Sequence, residues 1–301
     1  MLDTMNSYFL WISLTLACSV ILGVYKLSKK VAVHKNEPIA VSFFTATFAA
    51  LPGLLLLLHA LWFNDDRFIR GLSLPDHALI FIKSLIVSSS WILSYIALKF
   101  LPLSLASPLR ESTPLWTITG AFLIFHEEFT FFQVIGMGVG ILAYYRFSMI
   151  GKLEGIRFTA NKWVLLMAIS AVLGSTSSLY DKYLLQSKMI HVQTFQTWFY
   201  LYNSLLIGLV CLVTRHKSVS FKFKPSIIIT GLLLFFADLF YFYAVSTEGA
   251  MISVIAMLRR ASIIIPFFAS FLIFKEKYIF DKSIALLFFL VGTVFIILGA
   301  T

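Results

Sequence analysis

Ten stretches of about 20 mostly apolar residues follow one another along this chain, and about 20 such residues are what an α-helix needs to cross a bilayer. They cover roughly 7–25, 38–62, 76–98, 102–125, 130–150, 161–185, 192–214, 225–247, 250–274 and 279–300. The polar connections between them are too short to fold as domains of their own. The pattern predicts an all-α integral membrane protein with ten transmembrane helices. Composition agrees: 59% of the residues are hydrophobic and 13% charged, against about 45–50% and about 25% in soluble domains.

The fourth and ninth stretches resemble each other. SLASPLRESTPLWTITGAFLIFHEE, from Ser104 to Glu128, is echoed by ISVIAMLRRASIIIPFFASFLIFKEK, from Ile252 to Lys277. Arg110 then aligns with Arg259 and Glu127 with Glu276 at one spacing of 149 residues, with FLIF in both copies. The echo predicts two repeats of five helices, residues 1–150 and 151–301, joined by the polar segment GKLEGIRFTAN at 151–161. Five crossings reverse the direction of entry, so the repeats are inverted. In inverted-repeat transporters the substrate site lies near the midplane between the halves.

A charged side chain at membrane depth costs at least about 2.5–3.5 kcal/mol on insertion scales, so each needs a partner, a watery cavity or a role. Lys83, Arg110, Glu111, Asp238, Arg259 and Arg260 lie well inside the stretches. At about 100° per residue, Ser107, Thr113, Pro114 and Thr117 share a face with Arg110, while Ser262, Pro266 and Ser270 share one with Arg259. Two serine-rich runs, Ser88 to Ser90 and Gly174 to Ser178, sit at similar depth. Arg110, Arg259, Asp238, Ser89, Thr113, Ser262 and Ser177 are therefore the candidates for a substrate cavity, and Pro114 and Pro266 for helix bending or gating. Two plainer accounts stand beside these. Small polar residues also serve close helix packing, and the arginines can form structural ion pairs with Asp238 or Glu111. Gly136, Gly138 and Gly140 in the fifth stretch read as a packing surface, and Lys83 is placed to snorkel toward a membrane surface.

Other chemistries find little support. The six histidines are scattered with no metal-ligand spacing, and GxxxxGK[ST], GxSxG and HExxH are missing from the sequence, so neither a metal, a cofactor nor an enzymatic role is expected. Cys18 and Cys211 fall inside apolar stretches and read as packing residues. The N-terminal stretch lacks a basic leader and carries Asp3, which favours a retained span over a signal peptide. The net charge of +10 lies mostly between stretches, where it marks topology rather than nucleic-acid binding. Counting Lys26, Lys29 and Lys30 with the loops puts 16 basic residues on one side and 4 on the other, favouring an external N-terminus.

The block from Leu101 to Tyr145, its echo in the ninth and tenth stretches, and the five-plus-five plan resemble the EamA family of the drug/metabolite transporter superfamily. Ala97, Leu98, Lys99, Phe100 and Pro102 match the family's "ALKY-G-P-A" segment, while Leu101 and Leu103 depart from it. Glu127 and Glu276 match its glutamate after the span, preceded here by His126 and Lys275 instead of glycine. The resemblance implies a basket-like bundle around a central cavity, a small-metabolite substrate and cytoplasmic termini, the last against the loop count. The resulting expectation is a multi-pass protein of the plasma or bacterial inner membrane that can form a homodimer. It would be a secondary transporter of a small polar, anionic metabolite working by alternating access. The alternative is a lipid-linked intermediate carrier or flippase.

Overall fold

A computed structural model of the chain describes residues 2–102, 106, 109–110, 112–126, 130–153, 161–214, 221–272 and 279–298. Among these residues the regular structure is entirely helical. The helices are α1 (Leu2–Val33), α2 (Pro38–Phe63), α3 (Leu74–Phe100), α4 (Thr113–Phe125), α5 (Phe131–Leu153), α6 (Lys162–Lys182), α7 (Val192–Thr214), α8 (Pro225–Ser246), α9 (Ile252–Leu258), α10 (Ile264–Leu272) and α11 (Ile279–Leu298). A π turn, Tyr183–Ser187, extends α6, and a 3₁₀ turn, Arg259–Ile263, joins α9 to α10. Seven helical segments among the described residues are long and apolar enough to cross a membrane.

Local sequence explains several boundaries. The Glu37 carboxylate accepts from the Ala40 amide ahead of α2, with Pro38 opening the helix, and Asn64 closes it in the left-handed conformation at φ 52°. Ser73 caps α3 by accepting from the Asp76 amide, and Asn161 caps α6 by accepting from Trp163. The first stretch proves longer than its apolar core. No helix breaker stands between Gly23 and Pro38, so α1 runs on to Val33 and carries Lys26, Lys29 and Lys30 as helical residues rather than loop residues.

The bundle is arranged inside out relative to a soluble protein. Leu51, Leu55, Leu58 and Trp62 of α2 form an exposed stripe at helical spacing, while Ala46, Ala49, Ala50 and Ala60 are buried. Lipid is as apolar as leucine, so close packing of small residues, not burial of large ones, holds such helices together. Helix α1 packs along α8, α3 along α6, α2 along α7 and α8, α5 along α11, and α4 against α6 and α9. A Cβ on Gly292 of α11 would lie 2.7 Å from the Gly136 carbonyl and 3.1 Å from the Gly140 amide. The expected packing surface is thus present through Gly136 and Gly140, while Gly138 meets nothing nearby. The principal apolar core joins Trp11 and Cys18 of α1 to Phe195, Phe199 and Tyr200 of α7 and Phe242 of α8.

The ninth stretch is not one helix. Its α-helical path gives way to the 3₁₀ turn at Arg259–Ile263 before resuming at Ile264. Pro266 stands in the first turn of α10 and Pro114 in the first turn of α4, where a missing amide removes no α-helical hydrogen bond. Both prolines therefore begin a helix segment after an interruption. Ser107, Pro108, Glu111, Glu127, Glu128, Lys275, Glu276 and Lys277 lie outside the described residues.

Candidate functional site

A cavity of about 190 Å³ opens between α1, α3, α4, α6, α7, α8 and the 3₁₀ turn. Helical periodicity builds its wall. Lys83, Val87, Ser90, Trp91 and Ser94 recur along one face of α3, and Gly174, Ser177, Ser178 and Asp181 along one face of α6. On α8 the lining residues are Leu234, Asp238, Tyr241 and Phe242, and α1 supplies Tyr25, Lys26 and Lys29.

Charged side chains are numerous in the lining. Lys26, Lys29, Lys83, Arg110, Arg259 and Arg260 face the cavity beside two carboxylates, Asp181 and Asp238. Both carboxylates are engaged. Asp181 forms an ion pair with Lys83, both side chains at most 3% exposed, and accepts a hydrogen bond from the Tyr241 hydroxyl at 3.1 Å. The Lys83 ammonium also donates to Ser177 Oγ at 2.8 Å and lies 4.8 Å from the Phe199 ring centroid. Asp238 receives Arg259 Nη2 at 3.4 Å on one oxygen and the Tyr200 hydroxyl at 2.8 Å on the other. A buried ion pair offsets its desolvation only when the remaining lone pairs are satisfied, and a tyrosine performs that service at each aspartate.

Arg110 enters from the residues ahead of α4. Its Nη1 donates to the Ser170 carbonyl, and a Cβ on Gly174 would fall 2.8 Å from the same nitrogen. Gly174 is thus the gap through which the guanidinium lies across α6. The Lys26 ammonium donates to Ser262 Oγ at 2.6 Å, and that hydroxyl donates to the Arg259 carbonyl at 2.5 Å.

Of the residues expected from the sequence, Arg110, Arg259, Asp238, Thr113 and Ser177 line this one cavity. Ser262 is buried beside it and reaches it through Lys26. Ser89 does not: it is exposed and its hydroxyl turns back to the Leu85 carbonyl. Its neighbours divide the other faces, Ser88 donating to Asn203 of α7 and Ser90 to the Ser170 carbonyl of α6. Lys83 is buried and paired rather than snorkelled. Arg260, which helical spacing turns away from Arg259, also lines the cavity, its Nε donating to the Ala256 carbonyl at 3.1 Å.

Lys26, Lys29 and Asp181 were not among the expected residues. The lysines look like membrane-end markers, and Asp181 stands near the end of its stretch beside Lys182. The available signals were the missing breaker after Gly23 and the seven-residue step from Gly174 to Asp181, two helical turns along one face.

These features define a polytopic membrane protein with a charged internal cavity. Residues 9–149 match the model of the EamA-like transporter family, which contains membrane transporters. The resemblance drawn from the fourth stretch is thereby shown over the first half of the chain. One solved crystal structure shares the fold with a TM-score of 0.71 at 14% identity, covering 96% of this chain and 98% of that one. The shared fold therefore continues through the second half. No curated protein matches the sequence.

Proposed function

We propose that this protein is a secondary transporter that carries a small polar, anionic metabolite across a plasma or bacterial inner membrane by alternating access. The observation that carries the proposal is the meeting of Arg110 and Arg259, 149 residues apart at matching places in the two echoed stretches, on one cavity wall. Six cations against two engaged carboxylates among the described lining residues favour an anionic group on the solute. The volume of about 190 Å³ lies below the roughly 300–1,000 Å³ of sites for drug-sized ligands. That favours a compact metabolite over a lipid-linked intermediate.

Helix packing supports the two inverted repeats, residues 1–150 and 151–301. With the broken ninth crossing counted as one, the first packs on the eighth and the sixth on the third; the second packs on the eighth and the seventh on the third; the fourth packs on the sixth and the ninth on the first. Exchanging every crossing for the one five places along the chain turns each first-named pair into its companion. Such matched contacts suit two halves rocking about a midplane site.

The test is uptake by protein reconstituted in lipid vesicles, using a panel of labelled carboxylates, phosphate esters and amino acids. Wild-type protein should move an anionic member, and Arg110→Ala and Arg259→Ala proteins that remain monodisperse should lose that transport. Unchanged uptake by both variants would remove the arginines from the solute path.

A further inference from the structure

Lys29 differs from Lys83 and Arg259, the two cavity cations held by the aspartates. Its ammonium donates to Ser94 Oγ at 3.3 Å and stands 3.7 Å above the Tyr95 ring and 6.0 Å from the Tyr25 ring. The residue is only 8% exposed. Among the described residues no carboxylate lies within ion-pair distance of it; the charged groups that act on it are Arg110 and Lys26, both cations. The two cavity carboxylates cannot serve, since Asp181 is held by Lys83 and Tyr241 and Asp238 by Arg259 and Tyr200.

One weak hydroxyl contact and two ring faces do not replace the water that a buried ammonium has lost. A countercharge arriving through the cavity would. We infer that Lys29, with Ser94 beside it and Arg110 and Lys26 nearby, is the anion-binding subsite of this cavity, taking a carboxylate or phosphate group of the solute. The inference rests on the transporter reading and sharpens it. The Arg259 and Lys83 side of the cavity is internally neutralised and shapes the site, whereas Lys29 supplies the charge that selects the solute. A lysine ammonium binds phosphate as a point charge, and the Ser94 hydroxyl, which accepts from Lys29, keeps its own proton to donate, so a phosphate ester is the favoured class.

The experiment uses the full chain purified in detergent. Its thermal midpoint is followed during titration with inorganic phosphate, sulfate or acetate at constant ionic strength, since a ligand that binds the native state stabilises it in proportion to concentration over affinity. Wild-type protein should show saturable stabilisation, strongest with phosphate. Lys29→Gln should weaken the apparent affinity at least about tenfold, the size of one charge-assisted hydrogen bond, and Lys29→Arg should stay within about threefold of wild type. Should Lys29→Gln not fold, Ser94→Ala tests the same site and should weaken binding in the same direction by a smaller factor. Equal stabilisation by acetate would assign a carboxylate solute and keep the subsite. Affinity unaltered by Lys29→Gln, or no saturable effect of any anion on wild type, would overturn it. The two readings fail separately. Anion uptake that needs Arg110 and Arg259 but ignores Lys29 removes the subsite alone; phosphate binding that needs Lys29, in vesicles that move no solute, removes transport alone.

Discussion

The Arg259 guanidinium lies 3.8 Å above the ring of Tyr241, and the hydroxyl of that same ring donates to Asp181 at 3.1 Å. One side chain of α8 thus touches both ion pairs of the cavity. Tyr241→Phe keeps the stacked face and removes the donor, so it should cost about 1–2 kcal/mol of stability. Tyr241→Leu removes both and should cost more. Thermal or denaturant unfolding of the two purified variants checks the order.

The Lys83–Asp181 pair predicts a sharper contrast. Removing one charge leaves the other buried without a countercharge, which costs about 3–5 kcal/mol, whereas replacing both by apolar residues is often neutral. Asp181→Asn should therefore unfold far more readily than wild type, and Lys83→Met combined with Asp181→Leu should recover most of the loss. A double-mutant cycle on thermal midpoints reads the difference. A double variant as unstable as the single one would show that packing, not charge, sets the cost.

Gly174 separates fold from transport. A methyl placed there meets the end of the Arg110 side chain, which can swing away, rather than backbone. Gly174→Ala should leave the thermal midpoint within about 1 kcal/mol of wild type while lowering vesicle uptake by displacing the guanidinium. Uptake at the wild-type rate would show that the position of Arg110 against α6 is immaterial.

At Gly292 the outcome reverses. The atom that a Cβ would strike is the Gly136 carbonyl, part of a helix backbone that cannot rotate out of the way. Gly292→Val should force α5 and α11 apart and cost upwards of about 1–3 kcal/mol, visible as a lower midpoint or loss of monodispersity on gel filtration.

Much of this architecture was legible in the chain. The 149-residue offset pairs Arg110 with Arg259 in the sequence itself, and both line one cavity. The alternative partner considered for Arg259, Asp238, is its partner, so the ion pair and the cavity wall prove to be one arrangement rather than rivals. The glycine spacing in α5 announced a packing face for the same reason that leucines point outward: between apolar helices, only shape distinguishes the contact. What stayed hidden depended on where helices end. Lys26, Lys29 and Lys30 resemble topology markers until α1 is seen to continue through them, and the loop count that used them loses three residues from its larger side. Ser89 failed because three consecutive serines point to three directions around a helix, and depth alone does not choose among them.

The two ion pairs also differ in what they would do if the bundle moved. Asp238 and Arg259 sit 21 residues apart on consecutive stretches of chain, whereas Lys83 and Asp181 join α3 to α6 across 98 residues. A rearrangement that carries α8 and the 3₁₀ turn together leaves the first pair intact. Parting α3 from α6 would strand a lysine and an aspartate in apolar surroundings until water or solute reached them. If the bundle rocks as proposed, the Lys83–Asp181 pair would hold α3 to α6, and opening motions that spare this contact would cost least.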